Sequence, residues 1–220
     1  MKVYRTKKLY FGKWLYKIET ATPGASLIKR WGVADSQEFC NSTSDTRWRR
    51  HYTTADKEQL LEYITAVEPF LNHDMQMRAE WDSLSFYLND CNLYKQLQQA
   101  LSDWIVSVTE PESTDDIEYL QEKGSLVLCD ELPHDQYHYR IYLRYQMPSH
   151  LRLNFLGWLD NYPDTVKPSK GTVKWLSGGN PYFQDPFIYV VDQSQLLMVK
   201  LFLGEYARKT EEFVLRNTVK

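Results

Sequence analysis

A short pattern that recurs three times constrains this chain more than any other feature: an aromatic strand end, an aspartate and an amphipathic helix. It occurs at Tyr52 to Leu60, Phe86 to Leu93 and Tyr189 to Leu196, with Asp56, Asp90 and Asp192 at the junctions. An aspartate suits the start of a helix because its carboxylate accepts hydrogen bonds from first-turn amides and complements the helix dipole. We interpret the three aspartates as helix N-caps rather than acidic catalytic groups, and the recurrence predicts repeated β-α units.

The N-terminal segment predicts a β-hairpin. Apolar and polar residues alternate over residues 2–20, and Phe11-Gly12 provides a turn. Thr22-Pro23 then predicts the start of a short helix that Gly32 ends, because proline suits the first turn and glycine the left-handed cap. The stretch from Asp35 to Arg50 is polar and predicts a long loop.

The remaining pattern predicts an α+β fold. The expected strands are Trp104 to Val108, Leu126 to Cys129, Tyr137 to Tyr145 and Phe187 to Val191. The expected helices are Thr114 to Lys123, His150 to Leu159 and Gln193 to Arg216, the last with a break at Gly204 as an alternative. From residue 76 onward this order resembles an antiparallel sheet backed by helices, a ferredoxin-like or RRM-like elaboration, preceded by the β-hairpin. A soft boundary at residues 72–75 predicts an N-terminal lobe, 1–75, and a core domain, 76–220, with one continuous domain as the alternative.

Composition excludes several functional classes. The 220 residues carry a formal charge of −3, so contact with nucleic acid requires a local basic patch rather than a basic molecule. No apolar window approaches the ~18 residues of a membrane span, and Cys40, Cys91 and Cys129 form no CxxC pair. We therefore expect an intracellular, cytoplasmic protein without a membrane partner. The P-loop and Rossmann motifs are absent from the sequence, as are GxSxG and HExxH, and no nucleotide cofactor is expected.

Two constellations could carry chemistry. His138 with a carboxylate such as Glu131 could hold Mg²⁺ or Mn²⁺, although a lone strand histidine is more often structural. Tyr206 and Lys209 are spaced to share one face of a helix. A phenol has a pKa of ~10, so a neighbouring ammonium would help a tyrosine to act as a nucleophile. The alternative is that Tyr206 only packs against Phe202 and Phe213.

A family resemblance links these residues. The chain carries Phe86-Tyr87-Leu88-Asn89-Asp90, then His138-Tyr139-Arg140, then Tyr206-Ala-Arg-Lys209. This order resembles the three motifs of HUH-type rolling-circle replication initiators from small circular single-stranded DNA viruses, whose location in a eukaryotic host would be the nucleus. Arg140 stands where that family has a second metal-binding His or Gln, and a guanidinium is not a metal ligand, so His138 would need carboxylate partners.

The resemblance implies a metal-assisted endonuclease. The metal would polarise the scissile phosphate, the Tyr206 oxygen would attack it, and Lys209 would neutralise charge. The implied product is a covalent 5′-phosphotyrosine on single-stranded DNA.

A basic and aromatic mixture independently favours single-stranded nucleic acid as the partner. Cations neutralise phosphates while aromatic rings stack on bases, at ~1–3 kcal/mol per base. The candidate binding residues are Arg5, Lys8, Tyr10, Lys13, Trp14, Arg47, Trp48, Arg49 and Arg50. Three alternatives stay open: a nicking enzyme, a binding module without catalysis, and an accessory protein whose tyrosine-rich surface binds a host protein.

Overall fold

The computed structural model describes residues 1–42, 52–123, 126–179 and 185–218. The protein is of the predicted α+β class and contains two five-stranded sheets. It divides into two compact units, Met1–Ile117 and Glu118–Lys220.

The first unit contains one mixed sheet with helices inserted between its strands. Its elements are β1 (Lys2–Arg5), β2 (Tyr16–Ala21), α1 (Ala25–Trp31), α2 (Val33–Asn41), α3 (Thr54–Val67), β3 (Met75–Glu80), β4 (Ser83–Leu88), α4 (Cys91–Ala100) and β5 (Ile105–Glu110). The strand order is β1-β5-β2-β4-β3, with β1 and β5 parallel and the other neighbours antiparallel. Helix α5 (Thr114–Lys123) follows and crosses the division between the units.

The second unit has the same topology. Its elements are β6 (Leu126–Cys129), β7 (Tyr139–Leu143), α6 (Ser149–Leu159), β8 (Val166–Pro168), α7 (Lys170–Leu176), β9 (Phe187–Val190), α8 (Gln193–Leu203) and β10 (Ala207–Leu215). The order β6-β10-β7-β9-β8 again has one parallel pair, β6 with β10. In both units the last four strands and their helices form the split β-α-β arrangement of the ferredoxin-like fold, and the first strand extends the sheet.

Each sheet packs its helices against one face, because side chains alternate along a strand. In the first unit Tyr16 stacks on Tyr94 of α4, and the Thr20 hydroxyl lies 2.6 Å from the Tyr63 hydroxyl of α3. In the second unit Ile141 and Ile188 join one buried core with α6, α7 and α8. The intervening residues point to the opposite surface of each sheet, which we call the distal face.

Two of the three recurring aspartates occupy equivalent positions. Asp90 follows β4 and accepts hydrogen bonds from Asn92 N and Leu93 N at the start of α4. Asp192 follows β9 and accepts one from Gln195 N at the start of α8. Their interpretation as N-caps is confirmed. The third, Asp56, lies inside the first turn of α3, in a capping box in which Thr53 is the N-cap.

The N-terminal segment is hairpin-like, with the turn at the predicted residues. Phe11 and Gly12 have positive φ, and Tyr10 forms an antiparallel bridge with Trp14. The flanking strands β1 and β2 pair with β5, which lies between them. Helix α1 ends at Gly32 as expected.

Three expectations differ from the structure. The predicted loop from Asp35 to Arg50 contains most of α2, as far as Asn41, and residues 43–51 lie outside the described ranges. The predicted helix from Gln193 to Arg216 does break at Gly204, which takes φ +55°, but Ala207–Leu215 beyond the break form the strand β10 instead of a helix. The division between units falls after Ile117 rather than near residue 75, because β3 pairs with β4 in the first sheet.

Within the described part of the chain, helices that combine the length and the apolar character needed to cross a membrane are absent.

Candidate nucleic-acid interface

The distal face of the first unit holds a basic concavity of about 380 Å³. Residues from β1, β2, β5 and the segment between the first two strands line it: Tyr4, Arg5, Lys7, Lys8, Tyr10, Lys17, Glu19, Ser107 and Thr109. Four basic side chains and one acidic side chain therefore share this surface, although the whole chain is acidic. We call this set the basic concavity.

The segment between β1 and β2 is fixed over the sheet by buried and aromatic contacts. The buried Thr6 hydroxyl donates to Leu15 O at 2.8 Å, which closes the base of the segment. The rings of Tyr10 and Phe11 pack on Tyr87 of β4, with centroids 5.2 and 4.9 Å away. These contacts hold Lys7 and Lys8 at the concavity.

The charges of the concavity are partly organised by ion pairs. Lys17 Nζ lies 2.7 Å from Glu19 Oε2, and Arg5 Nη2 lies 2.9 Å from Glu112 Oε1. The hydrogen bond from Lys17 lowers the pKa of Glu19. Burial alone would lower the pKa of Lys17, but its hydrogen bond and attraction to Glu19 raise it overall. Both groups are therefore charged at neutral pH.

The structure brings together three of the predicted binding residues, Arg5, Lys8 and Tyr10, in the basic concavity. Lys13 and Trp14 are engaged elsewhere. Trp14 is buried and donates from Nε1 to Gln76 Oε1 at 3.0 Å, while Lys13 Nζ lies 3.9 Å above its ring and 3.2 Å from Asp74. The remaining predicted residues, Arg47, Trp48, Arg49 and Arg50, fall outside the described ranges.

The predicted metal ligands do not belong to a recognisable donor group. His138 and Glu131 are both exposed, and His138 contributes its backbone to the sheet by accepting from Phe213 N at 2.7 Å. Across the described ranges, groups of three or more His, Cys, Asp or Glu side chains suited to a metal ion are absent. Since the residues present do not fit the implied Mg²⁺ or Mn²⁺, we derive no step through a metal.

Tyr206 and Lys209 do not share a helical face. Tyr206 ends a short 3-10 turn and packs against the helix-side core, whereas Lys209 lies in β10 and binds Glu211 Oε1 at 2.9 Å. The expected arrangement fails because the chain leaves the helix at Leu203, and a strand does not preserve the helical spacing of three. The first motif of the resemblance lies on β4, in the first sheet, whereas the other two motifs lie in the second sheet.

The distal face of the second unit contains residues that the sequence did not single out for binding. Arg140 of β7 donates to the buried carboxylate of Glu211 through Nε, at 3.0 Å, and through Nη2. The Tyr142 hydroxyl also donates to Glu211, at 3.2 Å, and burial raises the pKa of Tyr142 to about 12. Phe187 and Tyr189 of β9 lie opposite Tyr142 and Arg140. The sequence signal that could have revealed this face was the alternation of Phe187 with Tyr189 along the predicted strand.

No protein-family model, curated protein or solved structure matches the chain. Function therefore has to be inferred from the two distal faces and their chemistry.

Proposed function

We propose that the protein binds single-stranded nucleic acid through the basic concavity of the first unit. The observation that carries this proposal is the convergence of Arg5, Lys7, Lys8 and Lys17 on one sheet surface beside two tyrosines. Cations along a groove neutralise phosphates, and adjacent aromatic rings offer stacking surfaces to unpaired bases.

The tyrosines supply the part of the interaction that a basic patch alone lacks. Tyr4 is exposed on β1, and Tyr10 is half-buried against Tyr87. Burial raises the pKa of Tyr10, so its phenol stays neutral at physiological pH. Neutral rings beside lysines suit a single strand, whose bases are available for stacking.

Salt dependence tests the proposal. Binding of a labelled oligothymidylate, measured by fluorescence anisotropy across a salt series, should weaken steeply as salt rises. For a single strand the slope of log K against log salt is about −0.7 per neutralised phosphate. The double variant Lys7→Gln/Lys8→Gln should reduce the magnitude of that slope by about 1.4 if each lysine neutralises one phosphate.

Lys13→Gln is the matched control, because Lys13 is exposed but engaged with Asp74 and Trp14 outside the basic concavity. For Lys13→Gln the slope of log K against log salt should equal that of the unmodified protein. Absence of binding, or binding that does not respond to salt, would contradict the proposal and favour a protein partner.

The tyrosine-nicking mechanism stays a prediction. Incubation with labelled single-stranded DNA and Mn²⁺, followed by a denaturing gel, tests it beside Tyr206→Phe. A covalent adduct that the variant loses would establish the nucleophile, whereas a retarded native complex without an adduct would leave a binding protein.

A further inference from the structure

On both distal faces a basic residue lies opposite a tyrosine, at corresponding positions of the two sheets. In the first sheet Lys17 of β2 lies directly opposite Tyr87 of β4. In the second sheet Arg140 of β7 lies directly opposite Tyr189 of β9. Because the strand orders match, these two basic-tyrosine pairs are topologically equivalent. The second unit therefore has a basic-tyrosine pair at the position that corresponds to Lys17 and Tyr87 in the first.

The two equivalent tyrosines, Tyr87 and Tyr189, differ in how much of their rings remains accessible. Tyr87 is only 5% exposed, because Tyr10 and Phe11 cover it. In the second unit Tyr142, Phe187 and Tyr189 are each half-buried and form a row, with ring centroids 5.9 and 5.2 Å apart along it. Half-buried rings are held in place by the sheet while keeping surface for a ligand.

The charges around this row fit an anionic strand. The central carboxylate, Glu211, is 1% exposed and is bound by Arg140, Lys209 and the Tyr142 hydroxyl. Lys167 of β8 is exposed and lies opposite Tyr189. Two lysines therefore border the rings, and the carboxylate of Glu211, which lies beside Lys209 on β10, is buried and compensated. An acidic partner is attracted by such a rim.

We propose that the distal face of the second unit is a base-stacking subsite, in which Phe187 and Tyr189 take unpaired bases of a single-stranded nucleic acid. This inference rests on the proposed function and assigns different tasks to the two faces. The first face supplies phosphate contacts through its four basic side chains, beside the rings of Tyr4 and Tyr10. The second supplies mainly ring surface, with the guanidinium of Arg140 over the rings of Tyr142 and Phe187 at 5.1 and 5.5 Å.

The experiment compares an oligothymidylate with an abasic strand of the same length, at constant salt. Tyr189→Leu should weaken binding of the oligothymidylate by roughly 5- to 150-fold, the range for one stacked base. It should leave binding of the abasic strand unchanged. Tyr189→Phe, which keeps the ring, should restore the affinity for the oligothymidylate.

Tyr145→Leu is the matched control, because Tyr145 belongs to the same unit and is exposed but contacts Trp175 of the helix-side core. Circular dichroism melting of each variant establishes that it is folded. The subsite is overturned if folded Tyr189→Leu binds the oligothymidylate as tightly as the unmodified protein does, or if the unmodified protein binds both strands equally. Salt-dependent binding of the oligothymidylate would still uphold the proposed function in either case. If the unmodified protein binds neither strand, both the subsite and the proposed function are wrong.

Discussion

The two sheets share their strand order and their central basic-tyrosine pair, but they surround the basic residue differently. In the first unit Lys17 pairs with Glu19 on the same strand, and the side chains of both remain partly exposed. In the second unit Arg140 pairs across strands with Glu211, which is almost completely buried. The two cations are similarly exposed, at 22% and 19%, so the units differ in the burial of the paired carboxylate rather than in that of the cation.

The largest effect that distinguishes the units is expected from removing these cations. Arg140→Met should lower the free energy of unfolding by about 3 kcal/mol, because it deprives a buried carboxylate of its principal partner and leaves Lys209 and Tyr142. Lys17→Met should cost less than about 1 kcal/mol, since its partner is partly exposed. Urea unfolding followed by tryptophan fluorescence measures both.

The double variant Arg140→Met/Glu211→Leu separates the lost charge pair from lost packing. Replacing a buried ion pair by apolar residues is often neutral, so the double variant should recover most of the stability. Equal losses of unfolding free energy in Arg140→Met and Lys17→Met would show that burial of the carboxylate does not determine the cost of removing its cation.

A smaller effect is expected at the two equivalent N-caps. Asp90→Ala should lower the free energy of unfolding by about 1 to 2 kcal/mol, and Asp192→Ala by about 0.5 to 1 kcal/mol, within the range for lost N-caps. The difference follows from the two amide hydrogen bonds at Asp90 and the single one at Asp192. Asparagine also caps helices, so Asp90→Asn and Asp192→Asn should retain stability. Thermal unfolding measures the series, and a large loss with asparagine would indicate a role for the charge itself.

The smallest effect is a pH dependence at the ion pair of the first unit. The pKa of Glu19 lies below its ordinary value of 4.5 because Lys17 donates a hydrogen bond to it. The pair therefore contributes stability above pH 4.5, and the contribution is lost as pH falls through the lowered pKa of Glu19. The stability difference between the unmodified protein and Lys17→Met should shrink below about pH 4.5. A difference that stays constant to pH 2 in urea titrations would assign the effect of Lys17→Met to packing.

Local chemistry explains the parts of the fold that the sequence predicted. The strand Leu126–Cys129 and the helix Thr114–Lys123 were located to the residue, and the capping roles of Asp90 and Asp192 follow from hydrogen bonds within one helical turn. The caps need only near neighbours in the chain, and the strand was recognisable from its run of apolar residues before its distant partner β10 was known. They were accessible without any knowledge of the tertiary structure.

Three features that depend on distant pairing were missed. The segment of β10 contains residues that also form helices, and it becomes a strand through pairing with β6 and β7. The basic concavity combines Arg5, Lys8 and Tyr10, which the sequence singled out, with Ser107 and Thr109 from a strand about a hundred residues away. Arg140 was noted only as a departure from a metal-ligand pattern. Its ion pair was not predicted, because its buried partner Glu211 lies on a different strand.

The shared strand order also bears on how the chain is synthesised. In each sheet the last strand is inserted between two strands made earlier, β5 between β1 and β2, and β10 between β6 and β7. Each nascent sheet therefore keeps an unfilled gap until its final strand leaves the ribosome. Because β5 ends at Glu110, before the second unit begins, the first gap can close before a competing strand of the same topology exists. Sequential synthesis thereby disfavours the strand exchange to which proteins built from similar units are prone.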